Sequence, residues 1–506
     1  MKTYEDLLEK WKEIAVLQST TAIVRWDMET KMPPKALELR SQQLAQLELM
    51  RHKMLTDPQI DKLLDSVGKD PSFGSLSEVQ KRNIHLVRKA YNEEAKLPEQ
   101  LVFETAKQQT IAVGVWKRAK AIRDYGMFRP ELKKMIELMM KVAEILMEVK
   151  GTKTPYDALL DTFEPGMTAD RITEVFDRMR EGLTGVIMEV EKSGFKPDIS
   201  ILSHTVPVET QRMISEASME FIGYDTKSPQ AGGRLDETEH PFTTGYYDDV
   251  RITTHYHENR FPSSLYSVLH EGGHALYEQN LPKKWIYQPI GASASYGIHE
   301  SQSRFVENMI GRSPEFLSYM LPKLKKIVGR PLRGVKLANF ISSVNNVQPS
   351  KIRIEADEVT YGLHIIIRFE MERDIFAGKL GVNELPHAWN EKYAKYLDVE
   401  IDNDSEGVMQ DTHWASGLYG YFPSYALGNI YGGMFLNKLG RDVPGWKKEI
   451  KKGNFTPVEN WLIENIHSKG KLYDPADLVK DVTGKNLTVK PFIDYLEKKF
   501  GKIYGF

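Results

Sequence analysis

The sequence predicts an all-α, mainly helical fold with one small β-sheet, on three observations. Through the first half, apolar residues recur every three or four positions, the spacing of one helix face. Pro, Gly and Asp gather at short turns, as at Asp70–Gly74 and Phe163–Gly166, and no long linker appears. One stretch alone, residues 243–257, replaces the helical rhythm with β-branched and aromatic residues in short alternation.

In chain order, Leu7, Trp11, Ile14 and Leu17 mark the first helix face, with Thr3 placed to cap it. The segment from Pro130 to Met140 repeats the rhythm. Thr168 is the candidate cap of a helix carrying Ile172, Val175, Met179, Leu183, Val186 and Val190, stopped at Ser193-Gly194. In the β stretch, Val250, Ile252 and Thr254 face one side and Arg251, Thr253 and His255 the other, giving an edge on which an extended peptide could pair. No repeat and no linker divides the chain. The expectation is one continuous unit over 1–506, with a helical part at about 1–200 and a second part at about 201–506.

Composition narrows the function classes. The 506 residues are 41% hydrophobic and 27% charged, ordinary for a globular protein with a large core. The 68 basic and 70 acidic residues leave a formal charge of −2, with no field to attract nucleic acid or an anionic membrane. No apolar run reaches the length of a membrane span, and the first residues form no apolar signal core. Cysteine is absent, so no thiolate can hold a metal and no disulfide contributes; the expected location is cytoplasmic.

The most informative segment is Ser267-Val-Leu-His270-Glu271-Gly-Gly-His274, which reads H-E-x-x-H. On a helix, His270 and His274 share a face one turn apart, so both imidazoles can reach one metal. Glu271 is rotated by about 100° and reaches the side where a water would sit. A catalytic zinc of this kind needs one more protein ligand. The segment Ser295 to Glu307 offers Glu300, with Glu307 and His299 as rivals. Ser295 is its candidate cap, Gly311 its stop, and Phe305 and Met309 its apolar face. Pairing in space requires one helix to end near Asn280-Leu-Pro282 and a second to begin.

Three further patches are dense in functional residue types. Ile352–Asp357 is read as opening a long helix on which Arg353 and Asp357, four apart, share a face and form an ion pair or a binding group. Gly407–Trp414, with Gln410 and His413, precedes Tyr419, Tyr421 and Tyr425, a tract that serves packing as readily as chemistry. His240-Pro241-Phe242 and Asp249–Thr253 flank the predicted strand.

Together these segments resemble the thermostable, Taq-type metallocarboxypeptidases. That family carries H-P-F, D-x-R-x-T, H-E-S-Q, I-R-x-x-A-D and G-x-x-Q-D-x-H-W, in this order, around H-E-x-x-H. The counterparts here are His240–Phe242, Asp249–Thr253, His299–Gln302, Ile352–Asp357 and Gly407–Trp414, with no departure at the motif positions. The resemblance covers the whole chain. It implies a saddle-shaped helical zinc peptidase with a deep groove and a small sheet beside the active site, commonly a homodimer, acting on peptides with a free C-terminus.

It also implies that Glu300 completes the metal set with His270 and His274, for one Zn2+ per chain with Co2+ as a substitute. Glu271 is then the general base. His413 and Tyr425, with Tyr421 as the rival, are the candidates to stabilise the tetrahedral intermediate. Arg353, with Arg251 second, is the candidate clamp for the terminal carboxylate, since a guanidinium binds it as a fork. His240, Gln410 and Tyr421 join the substrate-binding set. The rival readings are a zinc oligoendopeptidase or dipeptidase of related fold and an inactive peptide-binding scaffold. The G-x-M-E-N segment expected of a common helical aminopeptidase is absent.

Overall fold

A computed structural model describes residues 2–506. Helices dominate from Lys2 to Tyr504, with one three-stranded sheet between Gly233 and Thr254. The Ala169–Ser193 helix forms as its sequence dictates. Thr168 Oγ1 accepts from Arg171 N, Gly194 closes the helix at φ 64°, and all six predicted apolar residues are buried. The first helix, Lys2–Thr30, buries Leu7 and Ile14, but it already includes Thr3. Thr3 therefore sits inside the first turn and does not cap it. The rhythm read from Pro130 begins earlier too, because Asp124 accepts from Met127 N and starts a helix at Tyr125, which runs to Lys150 through Pro130.

The sheet has the order β1-β3-β2, with β1 (Gly233–Glu237) parallel and β2 (Thr243–Tyr246) antiparallel to β3 (Asp249–Thr254). Val250, Ile252 and Thr254 are fully buried on one face, as the alternation predicts. Thr253, on the other, is buried as well: its hydroxyl and backbone bond both backbone groups of Phe242. Arg251 lies 4.2 Å over the Trp26 ring, which ties the first helix to the sheet.

One large core extends from Ala112 to Tyr504, so the helices of 125–193 share it with the second half. A small separate cluster holds Leu7, Ile14, Leu55, Ile60, Leu64 and Val87 of the N-terminal helices. Among the described residues, no helix is long and apolar enough to cross a membrane.

Candidate metal centre

His270 and His274 stand on successive turns of the Pro262–Gln279 helix, and Glu300 stands in the second turn of the Tyr296–Arg304 helix. Glycine brings the two helices together. A Cβ on Gly273 would lie 2.6 Å from Gln302 O and 2.7 Å from Ser303 Cα, so any side chain there would force them apart. Gly428, on the Phe422–Asp442 helix, does the same on the other side, where a Cβ would meet Glu300 Cγ at 2.7 Å. The start of the Glu300 helix is held by Ser295, whose hydroxyl accepts from Ile298 N. It is also held by buried Glu164, which accepts from Ser295 Oγ, Gly297 N and Tyr431 OH.

This packing points His270 Nε2 and His274 Nε2 at one carboxylate oxygen, Glu300 Oε2, at 3.6 and 3.3 Å. The three ligand atoms lie within 4.8 Å of one another, a spacing that suits one small cation. Two imidazoles and a carboxylate are a zinc-type donor set. The surrounding charge fits a cation as well. Burial works against the charged form of His270, but Glu300, Glu307 and Glu271 outweigh it and push its pKa up to about 9. Burial likewise opposes the Glu300 charge, yet Arg304 and His270 hold it well below the usual carboxylate range.

The rivals to Glu300 have other partners. Glu307 lies on a π-helical turn, Phe305–Ile310, and its Oε2 is 2.8 Å from His270 Nδ1. That contact fixes the ring so that Nε2 faces Glu300, the usual arrangement behind a metal-bound histidine. His299 Nε2 is 2.9 Å from Glu278, and its ring stacks on His274 at 4.4 Å.

Glu271 is 6% exposed, and burial pushes its pKa up. Its Oε2 accepts a 2.6 Å hydrogen bond from Thr243 Oγ1, at the start of β2. The sheet thus holds this carboxylate in one orientation. The sequence marks Thr243 only as the start of the β stretch, directly after His240-Pro241-Phe242, and not as a partner of Glu271.

His413 Nε2 lies 3.2 Å from Tyr425 OH, and Tyr421 packs edge-on to Tyr425 at 5.1 Å. Burial pushes His413 down to about 3 and raises both tyrosines, with the Glu300 charge contributing to each tyrosine shift; all three are neutral at pH 7.

The segment carrying Arg353 differs from its reading as a helix. Arg353–Glu355 is a single 3-10 turn, and Ala356 is extended, so Arg353 and Asp357 share no helix face. Asp357 accepts from Gln348, Val359 and Thr360 instead. Arg353 is 7% exposed and donates through Nε and Nη2 to Asp411 Oδ1 at 2.9 and 2.8 Å, and through Nη1 to Tyr361 OH. Its guanidinium lies 5.1 Å over the Tyr425 ring, which joins it to the His413 group.

The other candidates are placed less freely. Arg251 has both sides of its fork on Asp249, at 2.7 and 2.9 Å. Gln410 accepts from Arg353 N and donates to the Lys351 and Glu406 carbonyls and to Tyr393 OH, so it shapes the loop. His240 is exposed.

Comparison with known proteins gives this arrangement its relatives. The family model "Carboxypeptidase Taq (M32) metallopeptidase" matches residues 6–500. "Thermostable carboxypeptidase 1" of Thermus thermophilus is 40% identical over 99% of both chains, and "Carboxypeptidase 1" of Bacillus subtilis is 38% identical over 99% of both. Among solved structures, the M32 carboxypeptidase of Deinococcus radiodurans R1 superposes with a TM-score of 0.95 over 100% of both chains, at 33% identity. The chain is a peptide-hydrolysing metalloenzyme and belongs to the carboxypeptidase Taq (M32) metallopeptidase family.

Proposed function

We propose that the protein is a zinc carboxypeptidase that releases the C-terminal residue of peptides. In this reading His270, His274 and Glu300 hold one Zn2+, for which Co2+ can substitute, and Glu271 is the general base. One observation carries it: three ligand atoms from two helices converge beside a buried carboxylate that a hydroxyl holds in place. Zinc bound there would polarise the scissile carbonyl and make a water acidic. Glu271 then takes the proton of the attacking water and passes it to the leaving amine, and its raised pKa makes it a stronger base. Neutral Tyr425, braced by His413, donates toward the oxyanion, with Tyr421 as the alternative donor. Arg353 takes the terminal carboxylate with the remaining hydrogens of its Nη1/Nη2 end, since Asp411 holds its Nε and Nη2 side and sets the guanidinium next to Tyr425. Arg251 is the second choice: Asp249 holds it in the same way, but its guanidinium lies over Trp26 and not over Tyr425. The reading extends to a cytoplasmic homodimer, supported by the absence of cysteine and by the family resemblance.

The deciding experiment incubates the zinc-loaded protein with one peptide bearing a free C-terminus and with its amidated twin, and reads the products by mass. The free acid should shorten from its C-terminus while the amide stays nearly intact. Internal cleavage of both peptides would make the protein an endopeptidase.

The metal assignment has its own test. Glu300→Ala should lose bound zinc by elemental analysis. Glu307→Gln should keep the site but weaken it, with an affinity loss of about 10- to 100-fold in chelator competition. Full occupancy in Glu300→Ala would pass the third ligand to Glu307 or His299.

A further inference from the structure

The Tyr361–Phe376 helix is buried almost all round. Among its Ile, Leu and Phe residues it carries His364, Arg368 and Glu372, four apart and all 0% exposed. At 3.6 residues per turn this spacing forms one stripe along the helix. Each member holds part of the segment that bears His413. His364 Nδ1 lies 2.9 Å from Tyr393 OH, which also receives Gln410 Nε2. Arg368 Nε donates to Asp411 Oδ2 at 2.7 Å. Glu372 accepts from Trp414 Nε1 and from Gly420 N, both at 2.8 Å.

A fully buried arginine is expensive, and stability alone would be served as well by apolar packing. The partner of Arg368 is what sets it apart. Asp411 gives Oδ2 to Arg368 and Oδ1 to the Nε and Nη2 of Arg353, so one carboxylate lies between two guanidiniums. Other titratable groups surround this bridge. His413 and His364 are neutral, both held down by burial, and burial raises Tyr361's neighbour Tyr425 and also Tyr393. Glu372 is pushed up to about 7 by burial, so it keeps part of a negative charge on the Arg368 side, and Glu370 is paired with Arg180 and Lys392. Asp411 therefore joins two guanidiniums where the clamp sits, so holding one of its oxygens constrains the other. Arg368 Nη1 is anchored on His364 O, its guanidinium lies 4.6 Å over Trp389, and its buried Nη2 has no partner among the described residues.

We propose that Arg368 is a positioning residue for substrate recognition. By holding Asp411 Oδ2 it fixes the carboxylate that orients Arg353 toward a peptide's terminal carboxylate. This inference rests on the reading of Arg353 as the carboxylate clamp.

The test compares Arg368→Lys and Arg368→Gln, each alone and combined with Arg353→Ala. For each variant, kcat and KM are measured on a blocked peptide with a free C-terminus and on its amide, alongside Tm and zinc content. Lysine keeps a cation beside Asp411 but not the fork. Arg368→Lys should raise KM for the free acid by about 10- to 100-fold, with a smaller fall in kcat and little change on the amide. It should add little to the loss already caused by Arg353→Ala, because both act through one contact. Equal losses on acid and amide, or an undiminished loss in the Arg353→Ala background, would overturn the proposal. If Arg368→Gln does not fold, Arg368→Lys decides alone. If Arg353→Ala itself fails to separate acid from amide, the clamp reading falls; if it separates them and Arg368→Lys does not, only the role of Arg368 falls.

Discussion

Glu271→Gln should keep bound zinc and lose turnover by roughly 10²- to 10⁴-fold, the usual contribution of a positioned general base. The substitution preserves size, and the amide oxygen can still accept the Thr243 hydroxyl that now holds Glu271 Oε2 at 2.6 Å. What disappears is the ability to take a proton. The loss should fall on kcat, because proton transfer occurs in the transition state and not in substrate binding. Single-turnover rates and elemental analysis on the same preparation check both halves. Activity near that of the native protein, with zinc in place, would remove Glu271 from the mechanism.

The readable parts of this molecule are those whose geometry is local. The Ala169–Ser193 helix forms with cap, stop and apolar face where the sequence puts them, since each depends on residues one or two turns apart. The same holds for His270 and His274. Their convergence on Glu300 needs a second helix, which the signals from Ser295 to Gly311 offer with Glu307 and His299 as rivals, and only the H-E-S-Q resemblance selects Glu300; the glycines that permit the approach, Gly273 and Gly428, are visible as residues but not as contacts.

Strand β1 escaped notice for the opposite reason. Gly-Arg-Leu-Asp-Glu is polar and carries no strand alternation, and it becomes a strand by pairing with β3, while Arg234 lies over Trp26 and Asp236 binds Lys31. The Arg353–Asp357 reading failed because a spacing of four presupposes a helix. The chain turns at Arg353 and extends at Ala356, so the true partner of Arg353 is Asp411, far along the sequence. Arg368 left a signal that could have been used: three polar residues at fourfold spacing in an otherwise apolar helix mark a buried polar stripe.

Arg353→Ala should lower kcat/KM on free-acid peptides by about 30- to 1000-fold, since losing a charge-assisted contact to a carboxylate in a dry site costs roughly 2–4 kcal/mol. Amide substrates carry no terminal charge, so they should be poor for both proteins and lose little more. This selectivity separates recognition from architecture. Arg353 also binds Asp411 and Tyr361, and removing it leaves Asp411 with Arg368 alone, so some loss of stability is expected and Tm must be followed. A merely destabilised protein loses acid and amide activity in proportion, whereas a lost clamp does not. Arg251 is the control. Its fork is closed on Asp249 and its face on Trp26, so Arg251→Ala should loosen the first helix against the sheet without discriminating between the two peptides. Should Arg251→Ala show the selective loss instead, the carboxylate is bound on the sheet side of the metal, and Arg353 serves only to hold the His413 segment in place.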